Sequence, residues 1–180
     1  LRSQKPQVIV QQIVKLVSEG VKEVVLTGIH TAGYGEDLVD YSFADLLRDI
    51  EKIPNLERIR ISSIEISQIN DDVIAVFKQS TKIVNHLHIP IQAGSNEILR
   101  KMRRHYTVDE YLAKVEQLRA IFPDIAITTD IIVGFPGETE ALFAETIETL
   151  KAVAFSELHV FPYSIRFGTP AAKMDDQVAE

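Results

Sequence analysis

The segment at residues 128–139, with the sequence TTDIIVGFPGET, constrains the fold of this chain more than any other. A β-branched run ends in a turn containing Gly134, Pro136 and Gly137, and an apolar-periodic helical segment follows directly. Such a run is typical of a buried parallel strand, and glycines at its carboxyl end let the backbone approach a ligand. The segment therefore predicts a βα unit of the kind whose strand ends bind ligands in α/β folds. A tight turn without a ligand fits it equally well.

The rest of the chain repeats this alternation of strand and helix. Strands are predicted at residues 23–27, 58–62, 86–92, 125–133 and 158–163, and helices at 7–19, 43–53, 70–79, about 96–104, 107–122 and 138–153. Strand starts are spaced about 30 residues apart, as right-handed βα crossovers require. We expect a single domain over residues 1–180, with an irregular tail at about 164–180.

Alternation within the strands narrows the architecture further. His86, His88 and Gln92 share one face of their strand, and Leu87, Ile89 and Ile91 share the other. The strands at 58–62 and 158–163 alternate in the same way. A doubly wound sheet has helices on both faces and therefore needs two apolar faces. A barrel with a water-filled interior has apolar residues outward, under the helices, and polar residues inward. The sequence predicts an α/β fold, a partial (β/α) TIM-like barrel that lacks its first strand.

Composition limits the chemistry that the chain can perform alone. The 180 residues carry a net charge of −7 and contain no cysteine, which excludes a disulfide, a thiolate zinc site and an iron–sulfur cluster held by this chain. No apolar run approaches the ~20 residues that a membrane span needs. The chain begins at Leu1 without an initiator methionine, so we expect it to be part of a longer protein.

Motifs of hydrolases and nucleotide-binding loops do not occur. G-x-S-x-G, H-E-x-x-H and G-K-[ST] are all missing from the sequence. The pair His86 and His88 is compatible with a metal, but histidines in such a pattern are more often satisfied by hydrogen bonds inside a barrel. Glu65 and Asp130 lie near strand ends, where a carboxylate serves as acid, base or ribose acceptor, or is simply solvated.

Six segments, in this order along the chain, resemble those of a known family. The segments are LTGIHTAGYGEDL (26–38), RIRISSIE (58–65), HLHIPIQAGS (86–95), MRRHYT (102–107), TDIIVGFPGET (129–139) and HVFPYSIRFGTPAA (159–172). They resemble the central radical S-adenosylmethionine (SAM) domain of the methylthiotransferases, and they are most similar to the branch that modifies N6-threonylcarbamoyladenosine beside the tRNA anticodon. The resemblance covers essentially the whole chain. Where relatives often have R-S-R-x-P, this chain has RSQKP at residues 2–6.

The resemblance implies two cofactors, S-adenosyl-L-methionine and [4Fe–4S] clusters. In this family three cysteines hold a cluster whose open iron binds the methionine part of SAM, and an electron from the cluster cleaves SAM to a 5′-deoxyadenosyl radical. The cysteine-free chain lacks this cluster loop and is therefore expected to be inactive alone. The resemblance implies that the full-length enzyme supplies the loop upstream, together with a second cluster on an N-terminal domain and a C-terminal RNA-binding domain.

The resemblance also assigns a cofactor site residue by residue. For the methionine part of SAM, the resemblance implies that Thr27 and Gly28 bind the amino group and that Arg104 binds the carboxylate. It places Ser63 and Glu65 at the methionine or the ribose, and Gln92 and Ser95 at the ribose hydroxyls or the carboxylate. It places Asp130, Val133 and Gly134 beside the adenine and ribose, Phe161 and Tyr163 against the adenine, and Arg166 against the substrate. No catalytic residue and no metal ligand is assigned. Packing in the core is the alternative role for Phe161 and Tyr163. A solvated helix face fits the basic group Arg100, Lys101 and Arg103 as well as a binding role does.

The implied activity is insertion of a methylthio group at C2 of N6-L-threonylcarbamoyladenosine in tRNA, in the cytoplasm. Two alternatives within the superfamily act on isopentenyl-adenosine tRNA or on a ribosomal-protein aspartate. An alternative of another class is a noncatalytic (β/α) ligand-binding domain. The expected partners are tRNA and an electron donor protein for the full-length enzyme, no membrane, and a second copy of the chain through an unpaired sheet edge.

Overall fold

The structure, a computed structural model, describes residues 2–28 and 30–178. Five strands are β1 (Glu23–Leu26), β2 (Arg58–Ile61), β3 (His86–His88), β4 (Ala126–Val133) and β5 (Glu157–Pro162). Six α-helices are α1 (Pro6–Ser18), α2 (Phe43–Glu51), α3 (Asp71–Gln79), α4 (Asn96–Lys101), α5 (Val108–Ile121) and α6 (Glu140–Val153). Strand and helix alternate as the sequence predicts.

The strands are parallel and lie in the order of the chain. β1 pairs with β2, and β3 pairs with β4, which pairs with β5. A parallel bridge between Ile59 and Ile83 joins the two groups of strands, and the Ile64 N–H donates to the His88 carbonyl at 3.0 Å. A sheet in which spatial order follows chain order is the arrangement of a (β/α) barrel, here open between β1 and β5.

Helix ends form where the sequence carries capping residues. The Thr107 side chain accepts from the Glu110 N–H, and the Glu110 side chain accepts from the Thr107 N–H, which completes the predicted capping box of α5. Ser42 and Asp45 form a second capping box at α2, and Asn70 caps α3. No helix among the described residues is long and apolar enough to cross a membrane.

Two predicted ends differ from the structure by more than two residues. β3 ends at His88 rather than at residue 92, because Pro90 has no N–H to donate to the neighbouring strand. Beyond His88 the Thr129 hydroxyl accepts from the Ile91 N–H and donates to the Ile89 carbonyl instead. α4 ends at Lys101 rather than at residue 104, because Arg103 adopts a positive φ of 58° and the Arg104 N–H returns to the Leu99 carbonyl at 2.9 Å.

The two faces of the sheet differ in polarity. Ile59, Ile61, Leu87, Ile89 and Ile91 are all buried in one core with the helices. The other face, called here the polar face, carries His86, His88, Thr128, Asp130 and His159, whose side chains lie next to one another. β5 is exposed along its whole length, and Val160 on its apolar side is 55% exposed. The open barrel therefore has its best-packed strands at its centre, β2 to β4.

Candidate functional site

A polar cleft lies at the carboxyl ends of β1, β2 and β3. It encloses about 170 Å³ and is lined by Gly28, His30, Thr31, Ser63, Glu65, Gln68, Pro90, Gln92 and Arg104. Three separate strand-to-helix connections and the segment after α4 supply these residues. The cleft therefore lies where α/β folds place ligands. It is smaller than the roughly 300–1,000 Å³ of typical ligand pockets, so these residues form only part of the wall around a ligand of that size.

Arg104 and Glu65 face each other across the cleft. The Arg104 Nη1 lies 3.7 Å from the Glu65 Oε1, and the two side chains are 33% and 32% exposed. This distance is too long for a hydrogen bond, and the Arg104 Nε is buried without a partner among the described residues. A guanidinium with free donors is suited to a carboxylate in two-pronged geometry.

Gln92 reaches the cleft through a strained backbone. Its φ is +67°, a conformation that residues other than glycine rarely adopt. Two hydrogen bonds hold it, from the Gln92 N–H to the Asp130 carbonyl and from the Ile132 N–H to the Gln92 carbonyl, both at 2.9 Å. Strain of this kind is kept where a site needs a particular orientation.

The loop after β1 contributes residues that the sequence reasoning missed. Thr31 is buried, and its hydroxyl lies 3.3 Å from the Gly28 carbonyl and 3.2 Å from the Ser62 hydroxyl. The His30 Nε2 lies 2.7 Å from the Gln68 Nε2. Both residues follow closely after Thr27 and Gly28, which were predicted to bind the cofactor. His30 lies in the segment LTGIHTAGYGEDL, and that segment is the sequence signal that could have identified it. Ile29 lies outside the described residues.

The structure brings only some of the predicted cofactor residues together. Gly28, Ser63, Glu65, Gln92 and Arg104 line the cleft. Thr27 instead lines an apolar groove of about 440 Å³ between α1 and β1. Ser95 is 1% exposed and its Oγ has no hydrogen-bond partner among the described residues, so it lies beneath the surface rather than in the cleft.

The remaining predicted residues lie on β4 and β5 or just beyond their carboxyl ends. The Gly134 N–H donates to the Glu138 Oε2 at 2.6 Å, and the Tyr163 N–H donates to the Val133 carbonyl at 2.7 Å. Tyr163 packs edge-to-face on Phe135 with ring centroids 5.2 Å apart, whereas Phe161 is half-exposed. Arg166 is exposed in the tail beyond β5. These groups are not part of the cleft wall at β1 to β3.

Burial perturbs one carboxyl group next to the Gly134 turn. Burial raises the pKa of Glu138, and the hydrogen bond from the Gly134 N–H offsets part of that rise. The Glu138 Oε1 is buried without a hydrogen-bond partner among the described residues. The protonated form of Glu138 is thus favoured more than in a solvated glutamate.

A second polar group lies on the polar face below the strand ends. His88, Asp130 and His159 place ligand-type atoms within 4.8 Å of one another, and we call these three residues the His–Asp–His group. The His88 Nε2 lies 3.3 Å from the Asp130 Oδ2, and the His159 Nδ1 lies 3.2 Å from the Asp130 Oδ1. Asp130 is thus held by two imidazoles. His86 stays outside, and burial with the nearby Arg60 charge lowers the pKa of its imidazole.

Comparison with known proteins identifies the family. The model of the radical SAM superfamily matches residues 1–150. The chain belongs to the radical SAM superfamily. Members of this superfamily use SAM and a [4Fe–4S] cluster, so these are the two cofactors against which the polar cleft is compared.

Named relatives match essentially the whole chain. The chain is 57% identical to threonylcarbamoyladenosine tRNA methylthiotransferase MtaB of Bacillus subtilis over 100% of its length, and 43% identical to MtaB of Thermotoga maritima. It is 49% identical to tRNA-2-methylthio-N(6)-dimethylallyladenosine synthase of Carboxydothermus hydrogenoformans over 99% of its length. The chain spans only 40% or 41% of the length of these relatives.

Solved structures match the fold. The methyltransferase TsrM from Kitasatospora setae, a structure with cobalamin and a [4Fe–4S] cluster bound, superposes with a TM-score of 0.73 at 16% identity, over 94% of this chain and 31% of that one. Coproporphyrinogen III oxidase HemN from Escherichia coli gives 0.66 at 17% identity, over 97% and 42%. These likenesses confirm the partial barrel of radical SAM type.

The residues of the chain fit one of the family's two cofactors. Arg104 lines the cleft with a guanidinium whose Nε has no hydrogen-bond partner among the described residues, and a guanidinium is the kind of group that binds a carboxylate such as that of SAM. Glu65, Ser63 and Gln92 carry oxygen atoms of the kind that accept from hydroxyl and amino groups. A [4Fe–4S] cluster needs cysteine thiolates, and the chain contains none. Its residues therefore do not supply the ligands of the cluster.

Proposed function

We propose that the chain is the SAM-binding core of a methylthiotransferase that inserts a methylthio group at C2 of N6-L-threonylcarbamoyladenosine in tRNA. The 57% identity to MtaB over the whole chain carries this proposal. The polar cleft supports it, since Arg104 can bind the carboxylate of SAM and the neighbouring acceptors can bind its amino group and ribose hydroxyls. We place the enzyme in the cytoplasm with its tRNA substrate.

Within this proposal, each side chain of the cleft has a binding task. Arg104 binds the SAM carboxylate, and the backbone at Gly28 receives the amino group. Glu65, Ser63 and Gln92 accept the remaining polar hydrogens. Asp130, Val133, Gly134, Phe161 and Tyr163 continue the site along β4 and β5, and Arg166 contacts the substrate. These assignments remain predictions to be tested one residue at a time.

The first experiment uses the full-length protein with its cluster reconstituted under anaerobic conditions. We expect SAM cleavage and a methylthio product on tRNA, detected by mass spectrometry of tRNA nucleosides. Arg104→Ala is expected to weaken SAM binding at least about tenfold, because hydrogen bonds to a charged group contribute about 1.5–3 kcal/mol. Arg100→Ala, an exposed arginine on α4, is the matched control and should leave SAM binding unchanged. A reconstituted protein that never cleaves SAM would refute the proposal.

The second candidate is methylthiolation of an isopentenyl-type adenosine, which the 49% identity to the dimethylallyladenosine enzyme favours. Nucleosides from a deletion strain separate the candidates, since only the true product disappears. Loss of a modified aspartate from a ribosomal protein would instead identify the third substrate. A noncatalytic ligand-binding domain would leave all of these modifications intact.

The proposal extends to two partners. An electron donor protein must supply the electron for SAM cleavage. The isolated chain also exposes sheet edges at β1 and β5, with Val25 and Val160 half-exposed, so we propose that copies associate there. Sedimentation of the chain at rising concentration tests this association, and a monomer at every concentration would contradict it.

A further inference from the structure

The His–Asp–His group is assembled by strand pairing rather than by a sequence motif. His88, Asp130 and His159 come from β3, β4 and β5. The register places Asp130 directly opposite His159, and His88 opposite Thr128, one strand pleat away on the same face. Neighbouring parallel strands thus bring two imidazoles to the two oxygens of one carboxylate.

A hydrogen bond orients the imidazole of His88, and a carboxylate lies beside the imidazole of His159. The His88 Nδ1 lies 2.9 Å from the Thr128 Oγ1, which leaves its Nε2 facing Asp130. The His159 Nε2 lies 3.5 Å from the Glu157 Oε1, which leaves its Nδ1 facing Asp130. Histidines that bind metals are held in this way, by an acceptor on the ring nitrogen that does not bind the ion.

Distances within the group match those between the ligands of a small divalent ion. Ligand atoms about 2.05 Å from a tetrahedral centre lie roughly 3.3 Å apart. The His88 Nε2 lies 3.3 Å from the Asp130 Oδ2 and the His159 Nδ1 lies 3.2 Å from the Asp130 Oδ1, so each distance runs to a different carboxylate oxygen. One ligand atom from each of the three residues lies within 4.8 Å of the other two, so a single ion requires Asp130 to bind through both oxygens or the side chains to move closer. The side chains are 18%, 28% and 47% exposed for His88, Asp130 and His159, which leaves an entry path from β5.

We propose that the His–Asp–His group binds one divalent transition-metal ion of the zinc class. Two imidazoles and one carboxylate favour zinc, cobalt, nickel or iron over magnesium and calcium, which prefer oxygen ligands alone. Three protein ligands leave at least one coordination position for water or another ligand. The site lies on the polar face of β3 to β5, and it shares Asp130 with the SAM site proposed above. The proposal does not rest on the proposed function.

The test uses the 180-residue chain, which has no cysteine to compete for metal. Zn²⁺ is titrated into the metal-free chain by calorimetry, and Co²⁺ is followed by its visible d–d absorption. One ion per chain is expected, together with a rise in melting temperature by mass action. His159→Gln and Asp130→Asn should each weaken binding at least tenfold, and Thr128→Val should weaken it less.

His105→Gln is the matched control, since His105 is an exposed histidine outside the group. Circular dichroism verifies that each variant folds, and His159→Gln is the safest of them because its strand is exposed on both faces. The absence of saturable binding at millimolar Zn²⁺ would overturn the proposal and leave a hydrogen-bonded cluster only. Equal loss of binding in His105→Gln and His159→Gln would overturn it as well.

Discussion

Removing the Thr129 hydroxyl is expected to loosen the segment that leads from β3 to the polar cleft. Thr129 is fully buried on β4, and its Oγ1 accepts from the Ile91 N–H and donates to the Ile89 carbonyl, each at 2.8 Å. These two hydrogen bonds replace the strand-to-strand backbone hydrogen bonds that are interrupted at Pro90. Thr129→Val keeps the shape of the side chain but leaves the Ile91 N–H buried without an acceptor.

The expected cost follows from these contacts. An unsatisfied buried N–H costs about 1–3 kcal/mol, and the lost hydrogen bond to Ile89 adds less because the Tyr111 hydroxyl still donates to that carbonyl at 2.7 Å. Thr129→Val should therefore lower the free energy of unfolding by about 2–3 kcal/mol. Tyr111→Phe alone should cost about 1 kcal/mol, since Thr129 still satisfies the carbonyl. The double variant leaves the Ile89 carbonyl with neither hydroxyl and should cost more than the sum.

Urea unfolding followed by circular dichroism measures all three values. An unchanged m-value would show that the comparison concerns stability alone. A free energy of unfolding for Thr129→Val within about 0.5 kcal/mol of that of the unaltered chain would show that the hydroxyl does not hold this segment, and so would a double-variant cost that is additive within the usual error.

Three further predictions concern pH, packing and salt. Because burial raises the pKa of Glu138, its ionised form opposes folding, so Glu138→Gln should raise the melting temperature at pH 7. The difference should shrink as the pH falls below the ordinary glutamate pKa of about 4.3, because the carboxyl is then protonated in both the folded and the unfolded state; an unchanged melting temperature at pH 7 would contradict this. Gly94→Ala should destabilise the chain by about 1–3 kcal/mol, because its Cβ would lie 2.7 Å from the Thr146 Cα, whereas Gly28→Ala has only ordinary contacts and serves as the control in chemical denaturation. If the full-length protein binds tRNA through Arg100 and Arg103, filter binding across a salt series should show a shallower slope for the double alanine variant; an equal slope would exclude that surface.

The architecture could be predicted because local and global signals agree. The apolar sets on β2 and β3 alternate with polar residues and are buried, as a barrel wall requires. Caps such as Thr107 with Glu110 gave the start of α5 to the residue. Signals of this kind act over a few positions, so they can be found in one sequence.

Features that depend on distant residues could not be predicted. The early end of β3 requires the Thr129 hydroxyl, some 40 positions from Ile89, and the turn after α4 uses Arg103 where glycine is usual. The sequence does not predict the pairing of His159 with Asp130, because short spacing singles out only the neighbouring histidines 86 and 88. Strand register, rather than spacing, decides that His88 joins the group and His86 does not.

The cleft and the His–Asp–His group depend on the same pair of strands. Gln92 in the cleft follows His88 on one segment, and its N–H bonds to the carbonyl of Asp130, the central residue of the group. Thr129, next to Asp130, fixes that segment against β4. A shift of β3 along β4 would therefore displace Gln92 and His88 together. Thr129→Val should weaken both Zn²⁺ binding in the chain and SAM binding in the full-length protein, whereas Glu138→Gln should leave Zn²⁺ binding unchanged. Loss of SAM binding with undiminished Zn²⁺ affinity in Thr129→Val would show that the two sites are supported independently.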